Sequence, residues 1–172
     1  MNSIELYDDF LLESDYLKIK EVLTSSGILP WFFNDYIVEK DGKEEIGFQF
    51  IHNFYIYNLG FTSENAQILL EPFFKKINVK DIHRIKANLG SRTLDHEQGG
   101  WHTDFDQEDL ICKTAIYFVN TNNGYTLFKD GTMIESKANR FVVFPSNLEH
   151  TGVSQTDEKI RCLINFNYTE KE

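Results

Sequence analysis

His102 and Asp104 stand two residues apart in the stretch Trp101-His102-Thr103-Asp104-Phe105-Asp106. On an extended segment this spacing turns both side chains to one side, because side chains alternate across a strand. An imidazole nitrogen and a carboxylate oxygen then come within reach of one metal ion. A third ligand is available as His150, in Ser146-Asn147-Leu148-Glu149-His150-Thr151-Gly152. Two histidines and one carboxylate make the facial set that holds non-haem Fe(II) and leaves coordination positions open. Arg161 lies one turn and strand beyond His150, and its planar fork suits a carboxylate bound to the same metal. His83 and His96 are weaker candidates. His83 has no carboxylate at matching spacing, and His96 directly follows Asp95, so those two side chains point to opposite faces.

Taken together, His102-Thr103-Asp104, His150 and Arg161 resemble the 2-oxoglutarate- and Fe(II)-dependent oxygenases. Ile116-Tyr117-Phe118-Val119-Asn120, Gly124-Tyr125-Thr126-Leu127-Phe128 and Phe144-Pro145-Ser146 narrow the likeness to the prolyl 4-hydroxylase-like branch. The resemblance spans roughly residues 82–168. It implies that His102, Asp104 and His150 are catalytic metal ligands and that Arg161 binds 2-oxoglutarate. O2 is then the second cosubstrate and ascorbate a supporting reductant. The implied reaction hydroxylates an unactivated C–H bond, of a prolyl or other amino-acid side chain or a small molecule, and releases succinate and CO2. Thr126 matches a cosubstrate-bonding threonine of the family, and Asn88 stands where relatives carry a tyrosine that contacts 2-oxoglutarate. The chain departs from the pattern at Phe118, where a tyrosine is common, and at Leu163, where a serine is common. The rival readings are a non-catalytic cupin-like metal- or ligand-binding protein, a metal-dependent hydrolase or isomerase, and a structural jelly roll.

These residues need a frame. The 172 residues suffice for one domain with a sizeable core, and 41% hydrophobic content with fifteen Phe and eight Tyr argues for an ordered, β-rich globule. A net charge of −10 disfavours generic nucleic-acid binding and slightly favours a cationic partner. Lys75, Lys76, Lys80, Arg84, Lys86 and Arg92 are candidates for a local basic rim, read first as solvated surface charge. Cys112 and Cys162 fit no disulfide or metal framework and read as buried free thiols of a reducing compartment. With no signal-like N-terminus and no long apolar run, the expectation is a soluble cytoplasmic protein with no membrane partner.

Along the chain, Ile4–Tyr7 reads as a strand, and Ser14 as the cap of a helix over 15–25. The aromatic run from Leu29 to Tyr36 reads first as core, followed by a turn at Asp41-Gly42. A strand spans 47–57, in which His52 is a low-ranking substrate candidate. Ser63 caps a second helix over 64–76, with Pro72 inside it. From Ile82 the period becomes two. The stretch from Gly90 to Gly100, with Arg92 as a second low-ranking substrate candidate, reads as a loop able to cover substrate. Strands follow at 113–120, 125–128 and 141–144, joined by turns at Asn122-Asn123-Gly124 and Asp130-Gly131, with His150 in the next connection. In the last strand Ile160, Cys162, Ile164, Phe166 and Tyr168 form one apolar face. Arg161, Leu163, Asn165 and Asn167 form the other, which must be wet or line a polar cavity. Asn165 and Asn167 are therefore candidates to orient cosubstrate or substrate. The fold expected is α+β, mainly β: a double-stranded β-helix, the cupin-like jelly roll, with N-terminal helices on its outer sheet. Residues 1–172 form the single domain, with 1–80 as helical and aromatic support for the 82–168 core.

Overall fold

The computed structural model describes residues 3–38, 47–104 and 112–171. Phe105 and Asp106 of the metal stretch, the Asp41-Gly42 turn and the first two residues lie outside them. In chain order the elements are β1 (Glu5–Tyr7), α1 (Glu13–Thr24), β2 (Phe32–Asn34), β3 (Gln49–Ile56), β4 (Gly60–Phe61) and α2 (Glu64–Phe74). Then come β5 (Val79–Ser91), β6 (Cys112–Phe118), β7 (Tyr125–Phe128), β8 (Met133–Glu135), β9 (Arg140–Pro145), β10 (His150–Val153) and β11 (Ile160–Glu170).

The strands form two antiparallel sheets. The major one runs β1-β9-β6-β11-β5-β3-β2, with β4 appended to β3, and the minor one runs β10-β7-β8. Period-two alternation sorts the side chains of the major sheet into two cores. Ala115, Tyr117, Phe141, Val143, Cys162, Ile164 and Phe166 face the helices, where they meet Ile19 and Leu23 of α1 and Leu70 and Phe73 of α2. Ile116, Phe118, Val142, Phe144 and Leu163 face the other way and pack on Phe128 and Ile134 of the minor sheet. Phe141–Phe144 is thus buried on both faces, as its unbroken apolar run implies. The result is three layers, helices on major sheet on minor sheet, with the double-stranded β-helix arrangement anticipated above.

Local differences have local causes. α1 starts at Glu13, with Leu12 at the capping position and no side-chain cap, so Ser14 lies inside the first turn. The entry is fixed instead by Asn139, whose amide accepts from Leu11 N at 2.9 Å and donates to Leu11 O at 3.0 Å. Glu13 and Asp15 complement the helix dipole. Ser63 does cap α2, accepting from Ala66 N at 3.1 Å, and the helix runs past Pro72 to Phe74. The tip of the β7–β8 hairpin places Gly131 at φ +91°, a conformation that other residues adopt at a cost. The aromatic run is not simply core. Phe32 and Phe33, at 59% and 63% exposure, sit on β2, an outermost strand of the major sheet, and Phe48 is also exposed, whereas Phe54 is buried against the helices.

Candidate metal and anion site

Between the sheets opens a cavity of about 820 Å³, within the range of small-molecule sites. Its floor is the non-apolar face of β5 and β11. Register sets Asn167 opposite Arg84, Asn165 opposite Lys86, Leu163 opposite Asn88 and Arg161 opposite Gly90. On β6, Thr114 and Ile116 continue the first two of these rows.

The far wall carries the ligand candidates. The segment leading to His102 runs along β10, tied by Ser154 N to Glu97 O and by Gly99 N to Gly152 O, each at 2.9 Å. This part of the expected loop is therefore a paired strip. His102 and His150 form a two-residue antiparallel bridge, His102 N to His150 O at 3.0 Å and the reverse at 2.9 Å. His150 is accordingly the first residue of β10, not part of a connection. One ligand atom each from His102, Asp104 and His150 lies within 4.8 Å of the others, a grouping that could hold a metal ion.

Hydrogen bonds set the donor atoms. His102 Nδ1 lies 3.1 Å from Gly100 O, and His150 Nδ1 lies 2.9 Å from Leu148 O. A carbonyl can only accept, so both Nδ1 atoms carry the proton and both Nε2 lone pairs are free to ligate. Thr114 Oγ1 donates to Asp104 Oδ2 at 2.7 Å, and Asn167 Nδ2 donates to the same oxygen at 3.2 Å. Arg84 Nη2 donates to Asp104 Oδ1 at 3.3 Å, while its Nε donates to Asn167 Oδ1 at 3.0 Å. Burial opposes ionisation of Asp104, but the His150 ring, the Arg84 guanidinium and the Thr114 hydroxyl outweigh it and hold its carboxyl below the ordinary range. Burial holds His150 below the usual histidine range, against the pull of Asp104. The ring is then neutral at pH 7, and Arg84 is the permanent cation beside the carboxylate. Two imidazole Nε2 atoms and a fixed carboxylate suit Fe(II).

Arg161 stands at the other end. Its Nε donates to Ser136 Oγ at 3.0 Å, its Nη2 to Thr126 Oγ1 at 3.4 Å, and its guanidinium lies 5.7 Å from the centre of the Phe118 ring. Phe118 thus stacks on the cation where relatives are expected to carry a hydroxyl. No carboxylate pairs with Arg161 among the described residues, and burial pushes its pKa down to about 10. The Oδ1 atoms of Asn88 and Asn165, on the same floor, are buried without a hydrogen-bond partner. The Arg161 guanidinium, without a carboxylate partner among the described residues, could take an anion, while the two amide oxygens are acceptors that call for a donor.

The cavity thus gathers His102, Asp104, His150, Thr126, Asn88, Asn165 and Arg161, with Asn167 bound to Asp104. Two low-ranking candidates lie elsewhere. His52 shares the face of Ala87, its partner in the β3–β5 register, so it points away from the floor, and its Nδ1 donates to Pro30 O at 2.8 Å. Arg92 is exposed and outside the cavity lining. His83 stacks on Tyr57 and His96 Nδ1 donates to Ser154 O, both away from the metal grouping.

Sequence reading missed three features. Arg84 and Lys86, taken first as solvated charge, line the cavity. Thr114 bonds Asp104, and its place on an alternating strand two residues before Ile116 was the available signal. The turn at Asn122-Asn123-Gly124 is closed by Gly124 N donating to Asn122 Oδ1 at 3.0 Å, but the glycine has a second role: a Cβ there would meet Arg161 Cδ, Asn122 Oδ1 and Val153 O, each at 2.9 Å, so it makes room for the arginine.

No family model and no curated protein matches the sequence. Solved structures do. A prolyl hydroxylase from Trichoplax adhaerens, in complex with a hypoxia inducible factor oxygen degradation domain peptide fragment, superposes with a TM-score of 0.64 at 14% identity, over 99% of this chain and 84% of that one. A viral collagen prolyl hydroxylase from Paramecium Bursaria Chlorella virus-1, in its 2OG complex, gives 0.63 at 13% over 98% and 96%. A non-heme alpha ketoglutarate dependent carbocyclase from nogalamycin biosynthesis gives 0.64 at 11% over 98% and 80%. At these identities the likeness is one of architecture, and the chain has the double-stranded β-helix fold of prolyl hydroxylases and other 2OG-Fe(II) oxygenases.

Proposed function

We propose that this protein is an Fe(II)- and 2-oxoglutarate-dependent dioxygenase that hydroxylates an unactivated C–H bond of an amino-acid side chain or a small molecule. The observation that carries the reading is Arg161, an arginine without a carboxylate partner among the described residues, in the same cavity as the His102, Asp104 and His150 grouping. A metal-only binder or structural jelly roll gives that guanidinium no purpose. The metal and cosubstrate supply the redox chemistry: O2 places one oxygen atom in succinate, with loss of CO2, and the other in the product C–OH.

The residues divide the remaining work. His102 and His150 would present Nε2 to the metal, because backbone carbonyls hold Nδ1–H. Asp104 stays ionised beside Arg84, while Thr114 and Asn167 fix its orientation. Arg161, steadied by Thr126, Ser136 and the Phe118 ring, would hold the distal carboxylate of 2-oxoglutarate. Asn88 and Asn165 line the cosubstrate's path. The sheets around them shelter the reaction from bulk water. One structural neighbour is in complex with a peptide fragment and another is a carbocyclase from nogalamycin biosynthesis, so peptides and small molecules both belong in the first screen.

The test is succinate release from 2-oxoglutarate with Fe(II), ascorbate and O2, with and without added peptides. Succinate that requires Fe(II) and vanishes in His102→Ala is the expected result. No succinate, together with no anaerobic 2-oxoglutarate binding in the Fe(II)-loaded protein, would leave a non-catalytic cupin-like binder.

A further inference from the structure

Lys86 is the cavity cation that the proposed reaction does not use. It lies on the floor strand β5 between Arg84 and Asn88, opposite Asn165 of β11 and Asn53 of β3. Arg84 is engaged by Asp104 and Asn167, but Lys86 has no hydrogen bond or ion pair to any described residue. Its place is distinct from that of Arg161. Four residues separate Lys86 from Gly90, the register partner of Arg161, or about 13 Å along the strand. Only two separate it from Arg84, so Lys86 stands on the metal side of the floor.

The buried Oδ1 atoms of Asn165 and Asn88 lie directly across from Lys86 and two residues along its own face, and neither has a partner among the described residues. Two side-chain amides around an ammonium can donate to one anionic group and accept from the ammonium itself. Charge points the same way. Asp104 and Glu97 are the described acids of the cavity lining, against Arg84, Lys86 and Arg161, in a chain whose net charge is −10. A dicarboxylate running from Arg161 to a metal still leaves Lys86 without an ion-pair partner among the described residues, and a partly buried ammonium without one is costly.

We infer that Lys86, with Asn165 and Asn88, forms a second carboxylate-binding subsite next to the metal grouping, separate from the Arg161 subsite. This rests on the oxygenase reading. The carboxylate has two possible sources, the metal-proximal end of 2-oxoglutarate or an acidic group on the primary substrate. In the second case the substrate is itself an acid, not the cationic partner that overall charge favours.

The test uses protein loaded with Mn(II), a non-turnover stand-in for Fe(II), and two probes. Calorimetry gives 2-oxoglutarate affinity for wild type, Lys86→Met, Lys86→Arg and Arg161→Met. Mn(II)-enhanced relaxation of carboxyl-13C acetate, with 2-oxoglutarate saturating, reports a second carboxylate beside the metal. If the subsite serves the cosubstrate, Lys86→Met weakens 2-oxoglutarate about tenfold or more, the size of a lost charged hydrogen bond. If it serves the substrate, 2-oxoglutarate affinity holds while the enhanced acetate relaxation disappears. Lys86→Arg retains binding in either case, and Lys86→Gln, which keeps polarity without charge, follows Lys86→Met. Wild-type behaviour of both Lys86→Met and Lys86→Gln with both probes overturns the inference. Failure of Arg161→Met to weaken 2-oxoglutarate overturns the oxygenase reading instead, so the two failures are distinguishable.

Discussion

The two ends of the cavity are built on opposite principles. At the Asp104 end the polar groups are matched: both carboxylate oxygens accept hydrogen bonds, and Arg84, Asn167 and Thr114 bond to the carboxylate or to one another. Beyond that network, towards Arg161, the described residues give neither Lys86 nor the Arg161 guanidinium a carboxylate partner, and the Oδ1 atoms of Asn88 and Asn165 lack donors. A matched network holds its shape without ligand, which is what a metal cradle requires. An unmatched set costs folding stability and is satisfied on binding, which is what a site for a transient anion requires. The same two strands, β5 and β11, supply both ends.

The largest expected effect breaks the connection between the ends. His102→Ala removes a ligand candidate but no bond of the Asp104 network, so the fold should persist by circular dichroism while succinate release falls to background. Retained turnover would mean that the metal grouping and Arg161 do not serve one reaction. Next come the groups that fix Asp104. Thr114→Val or Asn167→Leu should lower metal affinity about 10–100-fold, read by competition with a chelating dye. Either should also lower unfolding stability by about 1–3 kcal/mol, because a buried partner is left unmatched. Arg161→Met sharpens the contrast by having the opposite sign. It should raise the 2-oxoglutarate requirement about tenfold or more, leave metal affinity intact and raise the melting temperature of the ligand-free protein. Gly124→Ala should have a smaller effect, a few-fold loss of 2-oxoglutarate affinity with unchanged metal binding, as Arg161 shifts to accommodate the new methyl group.

The smallest effect is a pH slope. Burial, aided by Arg84, pushes Lys86 down to about 8 from an ordinary 10.5. Between these values the folded protein binds fewer protons than the unfolded chain, so ligand-free stability should rise with pH from about 8 towards 10.5. Lys86→Met should lose that part of the slope and be at least as stable as wild type at pH 7. A denaturation series at fixed ionic strength checks it, and a slope that survives the substitution assigns it to another group.

How much of this the sequence displays depends on the kind of signal. The alternation of β11 is written in single letters, so its apolar face and its polar face could be read directly, and the polar face does line a cavity. The triad was legible because His102 and Asp104 are close in sequence and extended. Alternation cannot tell a cavity from solvent, though, so Arg84 and Lys86 looked like surface charge. The pairing of Arg84 with Asp104 spans twenty residues and depends on how the strip before Asp104 crosses the floor, which no local pattern encodes. His52 failed as a candidate for the complementary reason. One step of strand parity decides between core and cavity, and only the register with Ala87 fixes that parity. Ser14 was outcompeted as a cap because Asn139, far along the chain, anchors Leu11.

The reciprocal backbone bonds between His102 and His150 carry a kinetic consequence. Main-chain pairing fixes how far apart the two imidazoles start, and the Nδ1–H bonds to Gly100 O and Leu148 O hold each ring against a rotamer hop. The slow route for release is opening of the bridge, and the amide protons of His102 and His150 are the atoms that such an opening exposes. Their hydrogen-exchange lifetimes should lengthen together when metal binds, which would make two backbone amides a direct clock for residence of the ion.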